Sequence, residues 1–312
     1  MLTQIRGLHH VTSMASGARA NNAFFTETLG LRRVKKTVNF DAPDVYHLYY
    51  ADEIGTPGTV MTYFPFPDAA RGRRGAGEVS VTAMAIPQGA ASAWEDRLRD
   101  RNVENIARDT AFGAARLLFD GPDGERLALV EVEQDNRAPW TGGGVEAEIA
   151  IRGFHSVEML LRDAGPTAEL LQFMGYRETA RDGAVTRYEI EGGNPARAID
   201  IRTDPAAPRA QQGAGSVHHI AFAVDSREVQ AEVAEALAQA GWPTTPQIDR
   251  DYFHAIYFRS PGGVLFEVAT NEPGFDRDED RAHLGEALKL PRQHEHLRAE
   301  LERRLEPLDE AS

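Results

Sequence analysis

The chain has 312 residues, enough for one large or two medium domains. It carries 34 Lys+Arg against 48 Asp+Glu, a net charge of −14. That sign argues against nucleic acid and anionic membrane surfaces, which select basic proteins. No cysteine is present, which excludes disulfides, thiolate metal sites and a cysteine nucleophile. The start MLTQIRGLHHVTSM lacks the basic and long apolar regions of a signal peptide, and no run reaches the roughly 18 apolar residues of a membrane helix. The expectation is a soluble cytoplasmic protein.

Self-comparison gives one pattern four times. The first strands are RGLHHVTSM at 6–14, GEVSVTAMAI at 77–86, RGFHSVEML at 152–160 and GSVHHIAFA at 215–223. All alternate apolar residues. Helical stretches follow at Ala20–Leu29, Ala91–Arg101, Thr167–Met174 and Arg227–Ala240. Gly30, Gly175 and Gly241 close three of them, as a residue just past a helix end prefers. Next come the strands VYHLYYAD, ARLLFDGP, TRYEIEGG and HAIYFRSP. The turns Pro122-Asp123-Gly124 and Pro261-Gly262-Gly263 lead into the last strands LALVEVE and VLFEVAT.

The unit is β-α-β-β-β, with spans near 5–66, 77–134, 151–204 and 214–271. The fold class expected is α+β: four such modules in two paired-module domains with cupped mixed sheets. The linker RAPWTGGG at 137–144 sets the boundary between an N-terminal domain, 1–136, and a C-terminal one, 145–274. The charged remainder, 275–312, reads as a helical tail packed on the outside.

The chemistry lies where the copies differ. The second histidine of the pair is His10 in copy one and His219 in copy four, whereas copy three has Ser156 there. Glu267 of copy four falls opposite Ala128 of copy two. It stands between Phe266 and Val268, where an unpaired carboxylate is costly. Two imidazoles and one carboxylate form the facial triad that suits non-haem Fe(II). One metal per chain is expected, on His10, His219 and Glu267. His155 reads as structural or as a support behind a ligand, His47 as core or pocket wall, and His283, His294 and His296 as solvated; nothing distinguishes His254. Tyr46, Tyr49, Tyr63, Tyr252, Phe253, Tyr257 and Phe266 are candidate aromatic walls.

At these residues the chain resembles the vicinal oxygen chelate superfamily, which includes glyoxalase I, extradiol dioxygenases and bleomycin-resistance proteins. The closer resemblance is to hydroquinone ring-cleaving dioxygenases. It rests on LHHVT at 8–12, YHLYYADEIGTPGTVMTYFPFP at 46–67, RGFHS at 152–156, HHIAFAV at 218–224, DRDYFHAIYFRSPGGVLFEVAT at 249–270 and the tail DEDRAHLGEALKLP. It implies Fe(II) on His10, His219 and Glu267, and catalytic support from His9, His218, Arg250 and Tyr257. Proton movement falls to His218 or His9, a hydrogen bond to bound oxygen to Tyr257, and charge stabilisation to Arg250. Strict strand alternation points His9 away from His10, so a bulge, local twist or neighbouring strand is needed to bring both near the metal.

The reading is an Fe(II)-dependent dioxygenase that opens a dihydroxylated aromatic ring, a hydroquinone first, with a small aromatic substrate and O2 as its partners. It allows Mn(II) in place of Fe(II), and a homo-oligomer. The alternatives are a glyoxalase-like isomerase or lyase and a metal-free drug-binding protein. The segments 68–78 and 133–149 are the expected shapers of the pocket or its lid.

Overall fold

The structure is a computed structural model and describes residues 1–308. The first module is β1 (Leu8–Ala15), α1 (Ala18–Ala23), β2 (Arg32–Val38), β3 (Tyr46–Ala51) and β4 (Val60–Pro65). The second is β5 (Glu78–Pro87), α2 (Ala91–Asp100), β6 (Ala107–Ala111), β7 (Ala114–Asp120) and β8 (Arg126–Val132). The third is β9 (Gly153–Leu161), α3 (Gly165–Phe173), β10 (Arg177–Asp182), β11 (Val185–Glu189) and β12 (Ala198–Thr203). The fourth is β13 (Val217–Val224), α4 (Arg227–Gln239), β14 (Ile248–Asp249), β15 (Phe253–Arg259) and β16 (Leu265–Pro273). All four are therefore β-α-β-β-β units. The first helix continues as a π-helical turn over Phe24–Thr28, a wider winding that sequence periodicity does not announce.

The modules pair into two eight-stranded sheets. One runs β14-β15-β16-β13-β1-β4-β3-β2 and the other β10-β11-β12-β9-β5-β8-β7-β6. The first module thus joins the fourth, and the second joins the third. Each sheet takes one module from either side of the linker at 137–144, so the expected division into 1–136 and 145–274 does not separate the sheets. The physical reason is edge matching. The first strand of every module offers a free edge, and the antiparallel pairs β1–β13 and β5–β9 close those edges across long stretches of chain. The connections 68–77 and 205–215 pass between the sheets side by side, with bridges Arg71–Ala214, Arg73–Gln211 and Ala76–Arg209. Gly75 permits this approach, since a Cβ there would stand 2.3 Å from the Pro208 carbonyl oxygen.

Alternation assigns the faces of the first sheet. Tyr46, Leu48 and Tyr50 of β3 enter the main core with Phe25, Tyr63 and Phe222. Tyr49 and Ala51 lie on the other face, in a smaller cluster with Val60, Ala221, Tyr252 and Phe253.

The tail covers the edge strand β2, and an uncovered edge would template unwanted pairing. The buried Lys35 ammonium donates to Asp278 Oδ1 at 2.7 Å and to Glu279. Arg33 Nε donates to the Gly285 carbonyl at 2.9 Å, and Lys36 bridges to Leu288. The tail includes α5 (Arg298–Arg304), and Leu301 on it and Leu305 and Leu308 after it are buried.

Candidate metal centre

Strand register assembles the site. His10 of β1 lies opposite Ala221 of β13, Ala221 opposite Glu267 of β16, and Glu267 opposite Tyr257 of β15. His219 stands two residues before Ala221 on the same face of β13. His10 Nε2 and His219 Nε2 are 3.2 Å apart, and Glu267 Oε2 is 3.4 Å from the first and 2.9 Å from the second. All three side chains are buried.

Both histidine pairs sit on bulges. Leu8 pairs with Phe222 but His10 with Ala221, so β1 holds one extra residue at His9. Thr12 pairs with His219 but Ser13 with Val217, so β13 holds one extra at His218. A bulge re-aims side chains that alternation would separate. His9 Nδ1 comes to 2.9 Å from His10 Nδ1, and His218 Nδ1 to 2.8 Å from His219 Nδ1.

The His9–Thr270 contact fixes the first tautomer: His10 donates Nδ1–H to His9 and turns its Nε2 lone pair towards Glu267. The matching tautomer at the second pair, with His219 donating Nδ1–H to His218, frees the His219 Nε2 lone pair in the same way. His9 passes its other N–H to the Thr270 backbone. Burial first, then the charge of His10, pulls His9 down to about 3. Burial, then His219, pulls His218 down to about 4, and burial also lowers His219. For Glu267 burial works upward, but when His10 and His219 carry protons their positive charge outweighs it and holds the carboxyl well below its usual range.

The residues fit a divalent ion. Both carboxylate oxygens of Glu267 are buried without a hydrogen-bond donor. In the tautomers above, no proton lies between Oε2 and either Nε2 atom. Three lone pairs then face one another, a repulsive arrangement that a cation resolves. Donors about 2.1 Å from an ion and at right angles to one another stand about 3 Å apart, close to the 2.9–3.4 Å spacings here. Among the described residues this is the one His/Asp/Glu cluster with metal-holding geometry.

The triad opens into a cavity of about 470 Å³. Its walls include Met14, Phe40, Phe64, Phe66, Phe253 and Leu265, and its polar lining includes His218, Arg250 and Tyr257. Burial, then the Glu267 charge, raises the Tyr257 phenol above its ordinary value. The Arg250 guanidinium lies 5.3 Å from the Phe40 ring and 5.6 Å from the Tyr257 ring, and 3.6 Å from Asp41 Oδ2. His218, Arg250 and Tyr257 therefore reach the cavity, whereas His9 stands behind His10 and does not line it.

The chain matches known proteins along almost its whole length. It is 41% identical over 310 residues to the "Putative ring-cleaving dioxygenase MhqO" of Bacillus subtilis, covering 99% of this chain and 98% of that one. It is 36% identical over 306 residues to the "Chlorohydroquinone/hydroquinone 1,2-dioxygenase" of Sphingobium indicum, with 96% and 95% covered. The crystal structure of a "putative dioxygenase" from Bacillus subtilis superposes with a TM-score of 0.95 at 40% identity, covering 100% of both chains. The profile of the Glyoxalase/Bleomycin resistance protein/Dioxygenase superfamily matches residues 161–268. The chain belongs to that superfamily.

Within this superfamily fold, several sequence expectations move. Of the seven candidate aromatic walls, Tyr49, Phe253 and Tyr257 line the cavity. Tyr46, Tyr63 and Phe266 point into the main core, the opposite face of their strands. Neither 68–78 nor 133–149 lines the cavity: the first is a crossover between the sheets, and Trp140 of the second packs under Arg32. Residues 39–42 form the cavity's loop wall instead, and alternation gives no signal in a loop. His294 Nε2–H donates to the Phe40 carbonyl at 2.8 Å within the tail's grip on that loop, and so is tied down rather than simply solvated. His283 is exposed and pairs with Glu286. His155 belongs to the second sheet, 3.1 Å from Ser156 Oγ. There, where the triad is lost, bidentate pairs Arg187–Asp200 and Arg202–Glu158 join polar side chains to one another. No described helix is long and apolar enough to cross a membrane.

Proposed function

We propose that the protein is an Fe(II)-dependent ring-cleaving dioxygenase acting on a hydroquinone with O2. The observation that carries the reading is the buried His10–His219–Glu267 set, whose unpartnered donor atoms converge beside an aromatic-walled cavity. The 36%-identical relative named for hydroquinone 1,2-dioxygenation supports the substrate class.

When bound, Fe(II) would supply the redox path from an electron-rich ring to O2 and the Lewis acidity that favours an ionised phenol. Mn(II) is the alternative ion, because geometry rather than affinity sets selectivity at such a site. His9 orients His10 by accepting its Nδ1–H, a support that keeps the ligating nitrogen aimed. His218, by accepting from His219, would keep an Nε2–H on the cavity side, where it can donate a hydrogen bond to a developing oxyanion. Tyr257 and Arg250 place a phenol and a guanidinium at the same wall, the first as a hydrogen-bond donor and the second as a fixed positive charge. Phe40, Phe64, Phe66 and Phe253 exclude water and offer ring faces to a planar ligand.

The test is anaerobic reconstitution with Fe(II), metal analysis, and oxygen uptake on a panel of hydroquinones and catechols. Near-stoichiometric iron with hydroquinone-dependent O2 consumption is expected. No oxygen uptake with any dihydroxylated ring by the iron-loaded protein would overturn the reading.

A further inference from the structure

A polar chain on the cavity wall has no part in holding the ion. His47 and Tyr49 of β3 and Thr62 of β4 share the face that bears His10, since His10 pairs with Val60, two residues before Thr62, and Thr62 pairs with Tyr49. Tyr49 Oη is 2.8 Å from His47 Nδ1, and His47 Nε2 is 2.5 Å from Thr62 Oγ1. Both rings line the cavity. The rings cannot drift: Tyr49 packs on His47 with centroids 4.1 Å apart and on Phe275 at 5.1 Å, and His47 packs on Phe64 at 4.3 Å.

A phenolic hydroxyl has one donor and two acceptor positions, and the contact with His47 uses one of them. In one tautomer Tyr49 donates to His47 and keeps lone pairs for an incoming O–H. In the other His47 donates to Tyr49, whose own O–H is then free for an anionic or carbonyl oxygen. Burial, and then the charges of His10 and His219, hold His47 well below its ordinary value. Both arrangements are therefore uncharged.

β1 and β3 are separated by β4, so two strand spacings of about 4.8 Å lie between their backbones. A ligand held at the triad and reaching across β4 arrives at Tyr49. The walls between, Phe64 and Phe253, are apolar. A ring with one oxygen at the ion and a second reaching past these walls towards β3 meets the polar group of Tyr49 there.

We propose that Tyr49, positioned by His47 and Thr62, is the specificity residue that hydrogen-bonds the ring oxygen remote from the metal. The inference rests on the hydroquinone reading above and extends it by naming what distinguishes a para-diol from a simple phenol.

The test measures anaerobic binding by calorimetry to the iron-loaded protein, using hydroquinone and 4-methylphenol, which replaces the remote hydroxyl with a methyl group of similar size. Thermal melts and iron content check that each variant is folded and loaded. Tyr49→Phe is expected to weaken hydroquinone about 5- to 10-fold, the worth of one neutral hydrogen bond, and to leave 4-methylphenol within about twofold. His47→Phe, which removes the partner that orients Tyr49, is expected to give a smaller loss with the same selectivity. Equal losses for both ligands, or no loss for either, in a Tyr49→Phe protein that keeps its iron would overturn the proposal. Those outcomes leave the dioxygenase reading intact where the wild type still consumes O2 with hydroquinone. A wild type that neither binds nor oxidises hydroquinone overturns both.

Discussion

Glu267→Gln tests the metal centre most directly. The side chain is fully buried between two imidazoles, and both its oxygens lack a hydrogen-bond donor. The substitution keeps volume but removes the one anionic ligand. An ion that binds only the folded state stabilises it by RT ln(1 + [L]/Kd), about 2.7 kcal/mol at a hundred times Kd. Unfolding entropy near 2.1 cal/mol/K per residue gives about 0.65 kcal/mol/K for a chain of 312 residues. Wild type should therefore melt about 4 °C higher with that excess of Fe(II) or Mn(II) than without it. If losing the carboxylate weakens binding about 100-fold, at the strong end of what even supporting residues contribute, the same ion concentration gives about 0.4 kcal/mol. The shift then falls to about 0.6 °C. Anaerobic melting curves with and without metal, with metal analysis on desalted protein, read both quantities. A variant that keeps the full shift and stoichiometric iron would refute the ligand assignment.

The remaining expectations concern the neighbouring histidines, the substrate and acid stability. His218→Asn should retain iron and lose about 10²–10⁴ in turnover, whereas His9→Asn should lose about 10- to 100-fold in metal affinity because it removes the group that aims His10; metal loss in the first variant would mean His218 is the ligand. A para-diol should turn over faster than a catechol in oxygen-uptake assays, and equal or better rates with simple catechols would place the protein with ordinary extradiol enzymes. The metal-free protein should lose stability as pH falls below about 6.5, because burial, then Arg187, Arg137 and Arg116, pulls His155 down to about 3 while the unfolded chain still takes up that proton. His155→Asn should flatten the slope of stability against pH between those values by at most about 1.4 kcal/mol per pH unit, less for the ring's partial exposure. An unchanged slope in denaturant titrations at pH 4.5 and 6 would show that His155 is not held neutral.

The sequence by itself determined the module and the residue types proposed to hold the metal. Apolar alternation in RGLHHVTSM and GSVHHIAFA and the Pro-Gly turns are local signals, set by side-chain direction and backbone sterics within a few residues. Repeat alignment then isolated His10, His219 and Glu267, because only a buried and compensated role suits a carboxylate between Phe266 and Val268. Tertiary structure decided everything that depends on which edges meet. The pairing of the first module with the fourth puts His10 beside Ala221 and Glu267, and no local pattern distinguishes it from pairing with the second. Two bulges turn His9 and His218 towards their neighbours, and a bulge is a mismatch between two strands rather than a property of either one. Phe40 reaches the cavity on a loop, and Tyr49 reaches it because β3 lies beside β4 in that sheet. Strand alternation says that two residues face the same way; only the closed sheet says what they face.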